Sequence, residues 1–136
     1  MESELNLNEV PKKVKLAEYL VYVTLVIGLI KSALYEMLTS QKILTEPKAL
    51  IIWIITIIII AFFGFEIGKG KNWARITFLV LFIIGALMNY PILIAEFKMS
   101  LIIGIISIIQ ILIQLYILII LFTGESKEWF SKIKSE

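Results

Sequence analysis

Four long apolar stretches constrain this sequence more than any other feature. They run from Leu16 to Leu38, Ala49 to Ile67, Trp73 to Ala95 and Leu101 to Phe122. A helix needs roughly 20 apolar residues to cross about 30 Å of hydrocarbon, so each stretch is long enough to span a membrane. Hydrophobic residues make up 60% of the 136 residues and charged residues only 18%, a balance that excludes an ordinary soluble domain.

The stretches are predicted to be helices. Backbone polar groups in lipid must bond within the protein, and residues 50–63 lack the alternation of a membrane β-strand. Short connectors make consecutive helices antiparallel neighbours. We therefore predict one all-α domain over residues 1–136, an antiparallel bundle of four transmembrane helices. Residues 1–15 form a cytoplasmic N-terminal segment, and residues 123–136 form a cytoplasmic tail with a short interfacial helix.

The cations predict the orientation of the spans. Nine of the 13 Lys and Arg residues fall on one side: Lys12, Lys13, Lys15, Lys69, Lys71, Arg75, Lys127, Lys132 and Lys134. Cations favour the cytoplasmic face, so both termini are expected in the cytoplasm. We interpret the first span as retained and not as a cleaved signal peptide, because Lys31 interrupts the cleavage region and no A-x-A pattern follows. The 29 isoleucines suggest an AT-rich bacterial genome, which makes the inner membrane the expected location.

Composition also narrows the chemistry. Asp, His and Cys are all absent, which removes disulfides, thiolate nucleophiles, imidazole bases and the commonest metal ligands. We expect no catalytic residue, no metal and no cofactor. The net charge of +2 gives no reason to expect a nucleic-acid partner.

Ionisable residues at membrane depth are the leading functional candidates, because burying a charge there costs about 2.5 kcal/mol or more. Lys31 lies inside the first span, and Glu96 closes the third span on the same side of the bilayer. The two residues either pair or remain separate, in which case Lys31 extends its long side chain to the interface and Glu96 is interfacial.

Polar and small residues mark the faces that pack against other helices. Ser107, Gln110 and Gln114 form a polar stripe on the fourth span, and Asn89 lies on the third. Gln110 and Gln114 either fix helix packing or, together with Ser107, line a polar cleft or pore. We expect spans one, three and four to be inner partners and span two to be the most exposed to lipid. Pro91 is expected to kink or end the third helix.

Aromatic and basic residues near the span ends are predicted to anchor the protein at the cytoplasmic membrane surface, where anionic lipid headgroups are the expected partners. These residues are Trp73, Arg75, Lys69, Lys71, Trp129, Phe130 and Lys132. The aromatic face of the tail could serve a protein partner instead.

Three short stretches resemble those of a known group of proteins. They are P-K-K-V-K-L-A at 11–17, G-K-N-W-A-R at 70–75 and L-F-T-G-E-S-K-E-W-F at 121–130. The chain resembles small bacterial four-span membrane proteins of unassigned function, in which a G-[KR]-N-W-A-R turn opens the third helix and an S-x-x-W-F tail follows the fourth. The resemblance implies no reaction, cofactor or catalytic residue. In this turn Asn72 is expected to cap the third helix.

Two functions fit these features. The first is a non-enzymatic membrane protein that acts through helix–helix association, as an accessory, regulatory or immunity-type subunit with a membrane-protein partner or as a homo-oligomer. The second is a small solute or ion transporter or channel formed as a homo-oligomer, because four helices alone enclose little space. A lipid-modifying enzyme is the least supported alternative.

Overall fold

The computed structural model describes residues 8–135, and all regular structure in that range is helical. The five helices are α1 (Lys12–Leu38), α2 (Pro47–Gly68), α3 (Asn72–Met99), α4 (Leu101–Phe122) and α5 (Gly124–Ser135). The first four have 22 to 28 residues and are apolar enough to cross a membrane. The prediction of an all-α chain with four long apolar helices is therefore confirmed. Residues 1–7 of the predicted N-terminal segment and residue 136 of the tail lie outside the described residues.

The helix starts follow from local chemistry. Glu46 precedes α2 and accepts a hydrogen bond from the backbone N–H of Ala49 at 2.7 Å, while Pro47 occupies the first turn, where no N–H is needed. The start of α3 differs from the prediction. Its N-cap is Lys71, and Asn72 is the first helical residue, whose side-chain oxygen accepts from Arg75 Nε at 2.6 Å. Asn72 therefore orients Arg75 and does not cap the helix.

The helices meet at two ends, which we call the basic end and the loop end. At the basic end, α1 begins, α2 turns into α3 and α4 turns into α5. Gly70 and Gly124 mark this end, and both have positive φ, which glycine adopts without a side-chain clash. The loop end holds residues 39–46 between α1 and α2 and the link at Ser100 between α3 and α4.

The loop between α1 and α2 is organised by one carboxylate. Glu36 accepts hydrogen bonds from the backbone N–H groups of Ile43 and Leu44, at 3.0 and 2.6 Å, and from the hydroxyl of Thr45. Both carboxylate oxygens of Glu36 therefore accept hydrogen bonds from the loop.

The helices form a ring of neighbours. Helix α1 packs on α2 and α4, and α3 packs on α4, while α2 and α3 share the smallest contact among these neighbours. The hydrophobic core lies at the basic end, where all five helices contribute buried residues: Val14, Ala17, Val21, Ile67, Ala74, Ile117, Ile120, Leu121, Trp129 and Phe130.

Helix α3, and not α2, is the least buried of the long helices. Between Ala74 and Glu96 it buries no residue, whereas α2 buries Gly64, Ile67 and Gly68. The prediction that span two is the most exposed and span three an inner partner was wrong. Small and polar residues on α3 do face inward, but they face a cavity and not a packed neighbour.

Pro91 does not end α3, which continues from Asn72 to Met99. Proline removes one N–H from the hydrogen-bond ladder. Ending a helix in apolar surroundings would leave several backbone groups unpaired instead of one, so continuing the helix is the less costly outcome.

Candidate functional site

A partly buried ion pair joins α1 to α3. Lys31 Nζ lies 3.0 Å from Glu96 Oε1, and the Lys31 side chain is 25% exposed against 8% for Glu96. Helix α1 carries Lys31 seven residues before its end at Leu38, which is about 10 Å of helical rise. Helix α3 carries Glu96 in its last turn at the same end. The structure thus brings the two charges together inside the bundle.

Ser107 on α4 completes the cluster. Lys31 Nζ donates to Ser107 Oγ at 3.0 Å, and the Ser107 hydroxyl donates to Glu96 Oε2. Both oxygens of Glu96 therefore have a donor, and the hydroxyl of Ser107 is used in both directions. A lysine ammonium has three hydrogens, so one remains without a partner in the described part of the chain.

The cluster lines a cavity of about 720 Å³ bounded by all four long helices. Pockets for single small molecules measure about 300–1,000 Å³. Four helices of one chain therefore enclose enough space for a ligand. This differs from the expectation that four helices alone enclose little space.

The cavity has a closed apolar floor near the basic end. Ile60, Phe63 and Phe78 line it and also pack against the hydrophobic core. The walls above the floor also carry polar side chains: Lys31, Ser32, Trp53, Thr56, Asn89, Glu96, Ser107, Gln110 and Gln114. Most of the lining is apolar, and these polar groups form the smaller part of the walls.

The cavity is reached between α2 and α3. These helices are held together near the basic end by ring contacts of Trp73 with Phe62 and Phe63, at 6.1 and 5.9 Å between centroids. Beyond that contact, exposed residues of both helices line the cavity, among them Thr56 on α2 and Tyr90 on α3. The side opening therefore lies where helix packing is weakest.

The predicted polar residues on the spans all line this cavity, although only some are bonded. Gln110 Nε2 donates to the carbonyl of Thr24 at 3.2 Å, and Asn89 Nδ2 donates to the carbonyl of Gly85 at 2.7 Å. Gln114 has no hydrogen-bond partner among residues 8–135. Gln110 thus connects α4 to α1, while the amide of Gln114 faces the cavity unpaired.

Arg75 is held inside the basic end. Its guanidinium carbon lies 4.6 Å from the ring centre of Phe122 and 4.4 Å from that of Phe130, and Nη1 donates to the carbonyl of Leu121 at 2.8 Å. Cation–π contacts and a backbone hydrogen bond therefore tie α3 to α4 and α5. The predicted membrane anchor acts as an internal link between helices.

Trp129 and Phe130 also differ from the anchoring prediction. They are 2% and 0% exposed, and the Trp129 ring lies against Gly70, where an added Cβ would be 2.3 Å away. The amphipathic pattern of α5 is directed towards the bundle, because Gly70 has no side chain and leaves space for a large ring. These two side chains are covered by protein and do not face lipid headgroups.

The remaining predicted anchors lie at the surface of the basic end. Trp73 is 47% exposed, and Lys71 and Lys132 are exposed. Lys69 pairs with Glu66 at 3.2 Å and lies 4.4 Å from the ring centre of Phe65. Lipid anchors and ordinary exposed residues both lie at the surface, so the anchoring role of these residues stays a prediction.

Sequence reasoning missed three contacts in this arrangement. Ser107 bonds to Lys31, Trp53 Nε1 donates to Ser32 Oγ at 3.0 Å, and Phe122 stacks on Arg75. The spacing on the fourth span predicts that Ser107 lines a polar cleft with Gln110, but it does not predict the contact with Lys31. No comparable spacing links residues on different helices.

Within residues 8–135, no group of three or more acidic residues is close enough to hold a metal ion. Comparisons with known proteins found no matching family model, no matching curated protein and no matching solved structure.

Proposed function

We propose that this chain is a multi-pass protein of a bacterial inner membrane, with four antiparallel transmembrane helices and both termini in the cytoplasm. The distribution of charge supports this orientation, because nine of the 13 cations belong to the segments at or next to the basic end. The proposed kinship to small four-span bacterial membrane proteins agrees with this layout.

Reporter fusions test the orientation. A green fluorescent protein fused after α5 is expected to fluoresce, and alkaline phosphatase fused within residues 39–46 is expected to be active. The same phosphatase placed at Gly70 is the matched control and is expected to be inactive. Active phosphatase at Gly70 would contradict the proposed orientation.

Within the membrane, we infer a non-enzymatic role in binding and carrying a small solute. One observation carries this proposal: a single chain encloses a cavity that contains a charged pair. Membrane proteins retain such charges mainly at substrate or ion sites, because their insertion is costly. One chain lines the cavity, so the proposal does not depend on a homo-oligomeric pore.

Flux into proteoliposomes tests this function. Screening with labelled ions and small solutes is expected to yield a substrate whose flux is reduced at least tenfold by Lys31→Met and by Glu96→Gln. Lys42→Met, which removes an exposed lysine of the loop, is the control and is expected to leave flux unchanged. Equal flux in all variants would contradict the proposed role of the ion pair.

A second function, association as an accessory, regulatory or immunity-type subunit, is favoured by the bare face of α3, which buries no residue between Ala74 and Glu96. The small and polar faces of α1 and α4 give less support to association with a partner. These faces line the cavity and are used within one chain. Purification in mild detergent tests association. A membrane protein that copurifies in a fixed ratio, and no longer does so when outward residues of α3 are changed, supports association. A monomer that copurifies with no partner contradicts it.

A further inference from the structure

The walls of the cavity limit the chemistry of what it can bind. Lys31 and Glu96 neutralise each other, so the cavity carries no net charge from its walls. An ionic ligand without its own counter-charge would have to compete with this pair. The cavity is therefore suited to an uncharged or zwitterionic molecule.

Several polar groups on the walls have unused hydrogen-bonding capacity. Among the described residues, no partner is found for the amide of Gln114, for the side-chain oxygens of Gln110 and Asn89, or for one ammonium hydrogen of Lys31. These groups include both donors and acceptors. A hydroxyl or amide group on a ligand satisfies such a mixture, whereas a pure hydrocarbon leaves every one unpaired.

The floor requires a different chemistry. Ile60, Phe63 and Phe78 present only apolar surface, and along α3 the helical rise from Phe78 to Asn89 is about 16 Å. This length is close to one hydrocarbon leaflet, about 15 Å. A single alkyl chain of membrane length therefore fits between the polar walls and the floor.

The opening indicates the route of entry. Because the cavity is reached between α2 and α3, an amphipathic molecule already dissolved in the bilayer can enter from the side. The volume of about 720 Å³ suits one small ligand and not a whole transmembrane helix, which is about 10–12 Å in diameter over its full length. A lipid-like ligand is favoured over a protein segment.

We propose that the cavity binds an amphipath with one hydrocarbon chain and an uncharged or zwitterionic head that carries hydroxyl or amide groups. The head lies at the level of Lys31, Asn89 and Gln110, and the chain extends to the floor at Phe78. This proposal rests on the proposed function in taking the same cavity as the binding site, and it names the class of molecule that is bound.

Trp53 provides a direct readout, because it lines the cavity while Trp73 and Trp129 lie near the basic end. A monoacylglycerol with bromine atoms in its chain is added to the full chain in nanodiscs. We expect saturable quenching of the Trp53 fluorescence, taken as the difference between the native protein and Trp53→Phe. Unlabelled monoacylglycerol is expected to reverse it, and glycerol alone is not.

Two matched variants localise the binding. A Cβ added at Gly85 would meet only Asn89 Nδ2, at 3.9 Å, so Gly85→Phe directs a ring into the cavity without a backbone clash. Leu87→Phe places the same ring on the outward face of α3, where Leu87 is 74% exposed. Gly85→Phe is expected to abolish the saturable quenching and Leu87→Phe to preserve it.

The outcomes separate the ligand class from the carrier function. Quenching that does not saturate, that is equal in Gly85→Phe, or that glycerol reverses overturns the proposed ligand. Solute flux with no monoacylglycerol binding overturns the ligand class and leaves the carrier function standing. Saturable binding in a protein that supports no flux upholds the ligand class and overturns the carrier function.

Discussion

Lys31 illustrates how a single residue sets conditions for the others around it. A partly buried ammonium needs a counter-charge and acceptors, and α3 and α4 supply them in Glu96 and Ser107. Glu46 is the N-cap of α2 and Glu36 holds the loop, so both are already engaged. Glu96 is left as the acid for Lys31 at this end.

Breaking the ion pair is expected to destabilise the protein. Glu96→Gln leaves Lys31 without a counter-charge and is expected to lower the free energy of unfolding by about 2–4 kcal/mol, because Lys31 is only partly buried. The double variant Lys31→Met/Glu96→Gln is expected to be more stable than Glu96→Gln alone. Unfolding in mixed micelles measures both, and additive effects of the two changes would contradict the coupling.

Gly70 is a second position where one side chain decides the structure. Its φ is +84°, and a Cβ there would lie 2.3 Å from the ring of Trp129. Gly70→Ala is expected to destabilise by about 1–3 kcal/mol through strain and displacement of the ring. Gly85→Ala is the control, because its Cβ would meet only Asn89 Nδ2 at an ordinary contact distance of 3.9 Å, and it is expected to be neutral or slightly stabilising. Thermal unfolding compares the two, and equal midpoints would contradict the close packing at Gly70.

At the scale of elements, α5 closes the basic end of the bundle. Its buried aromatic residues contact the turn at Gly70 and, through Arg75, both α3 and α4. If α5 only lay on the membrane surface, changes in α5 would not affect the stability of the other helices. Because α5 is part of the core, such changes are expected to destabilise the whole bundle.

This difference gives a test on α5. Phe130→Ala is expected to lower the free energy of unfolding by about 3–5 kcal/mol, because a fully buried ring is removed. Lys127→Ala, an exposed change on the same helix, is expected to alter it by less than about 0.5 kcal/mol. Chemical unfolding and limited proteolysis of α5 measure the effect. Unchanged stability in Phe130→Ala, with reduced binding to anionic vesicles, would support lipid anchoring instead.

The sequence predicts the elements better than their arrangement. Apolar length suffices to find four helices, and the positions of Lys31 and Glu96 near the same end suggest that they can meet. The exposure of α3 was not predictable, because helices rich in Ile and Leu on every side have no distinct inward face. The burial of Trp129 was missed for a related reason, since an amphipathic helix has the same pattern whether it covers lipid or protein.

At the scale of the whole molecule, the bundle is unevenly packed. The basic end holds the hydrophobic core, and the half towards the loop end surrounds the cavity. Tight packing at one end keeps the helices together while α2 and α3 remain apart at the other. A single chain therefore combines a tightly packed base with an accessible cavity.

If one chain is sufficient, activity is expected to be independent of protein density. Flux per protein, or Trp53 quenching per protein, is expected to stay constant when the protein-to-lipid ratio is lowered a hundredfold. A homo-oligomer that dissociates would lose activity on dilution. A steep loss that a covalently linked dimer restores would contradict the single-chain site.

The position of α5 in the chain has a consequence for biosynthesis. Trp129 and Phe130 complete the base on which the cavity rests, yet a ribosome makes them after all four long helices. In the proposed orientation those helices enter the bilayer while the base is unfinished, and the tail docks from the cytoplasm once it has left the exit tunnel. In that orientation α5 is therefore the last of the five helices to join the bundle, and it closes the bundle from the cytoplasmic side.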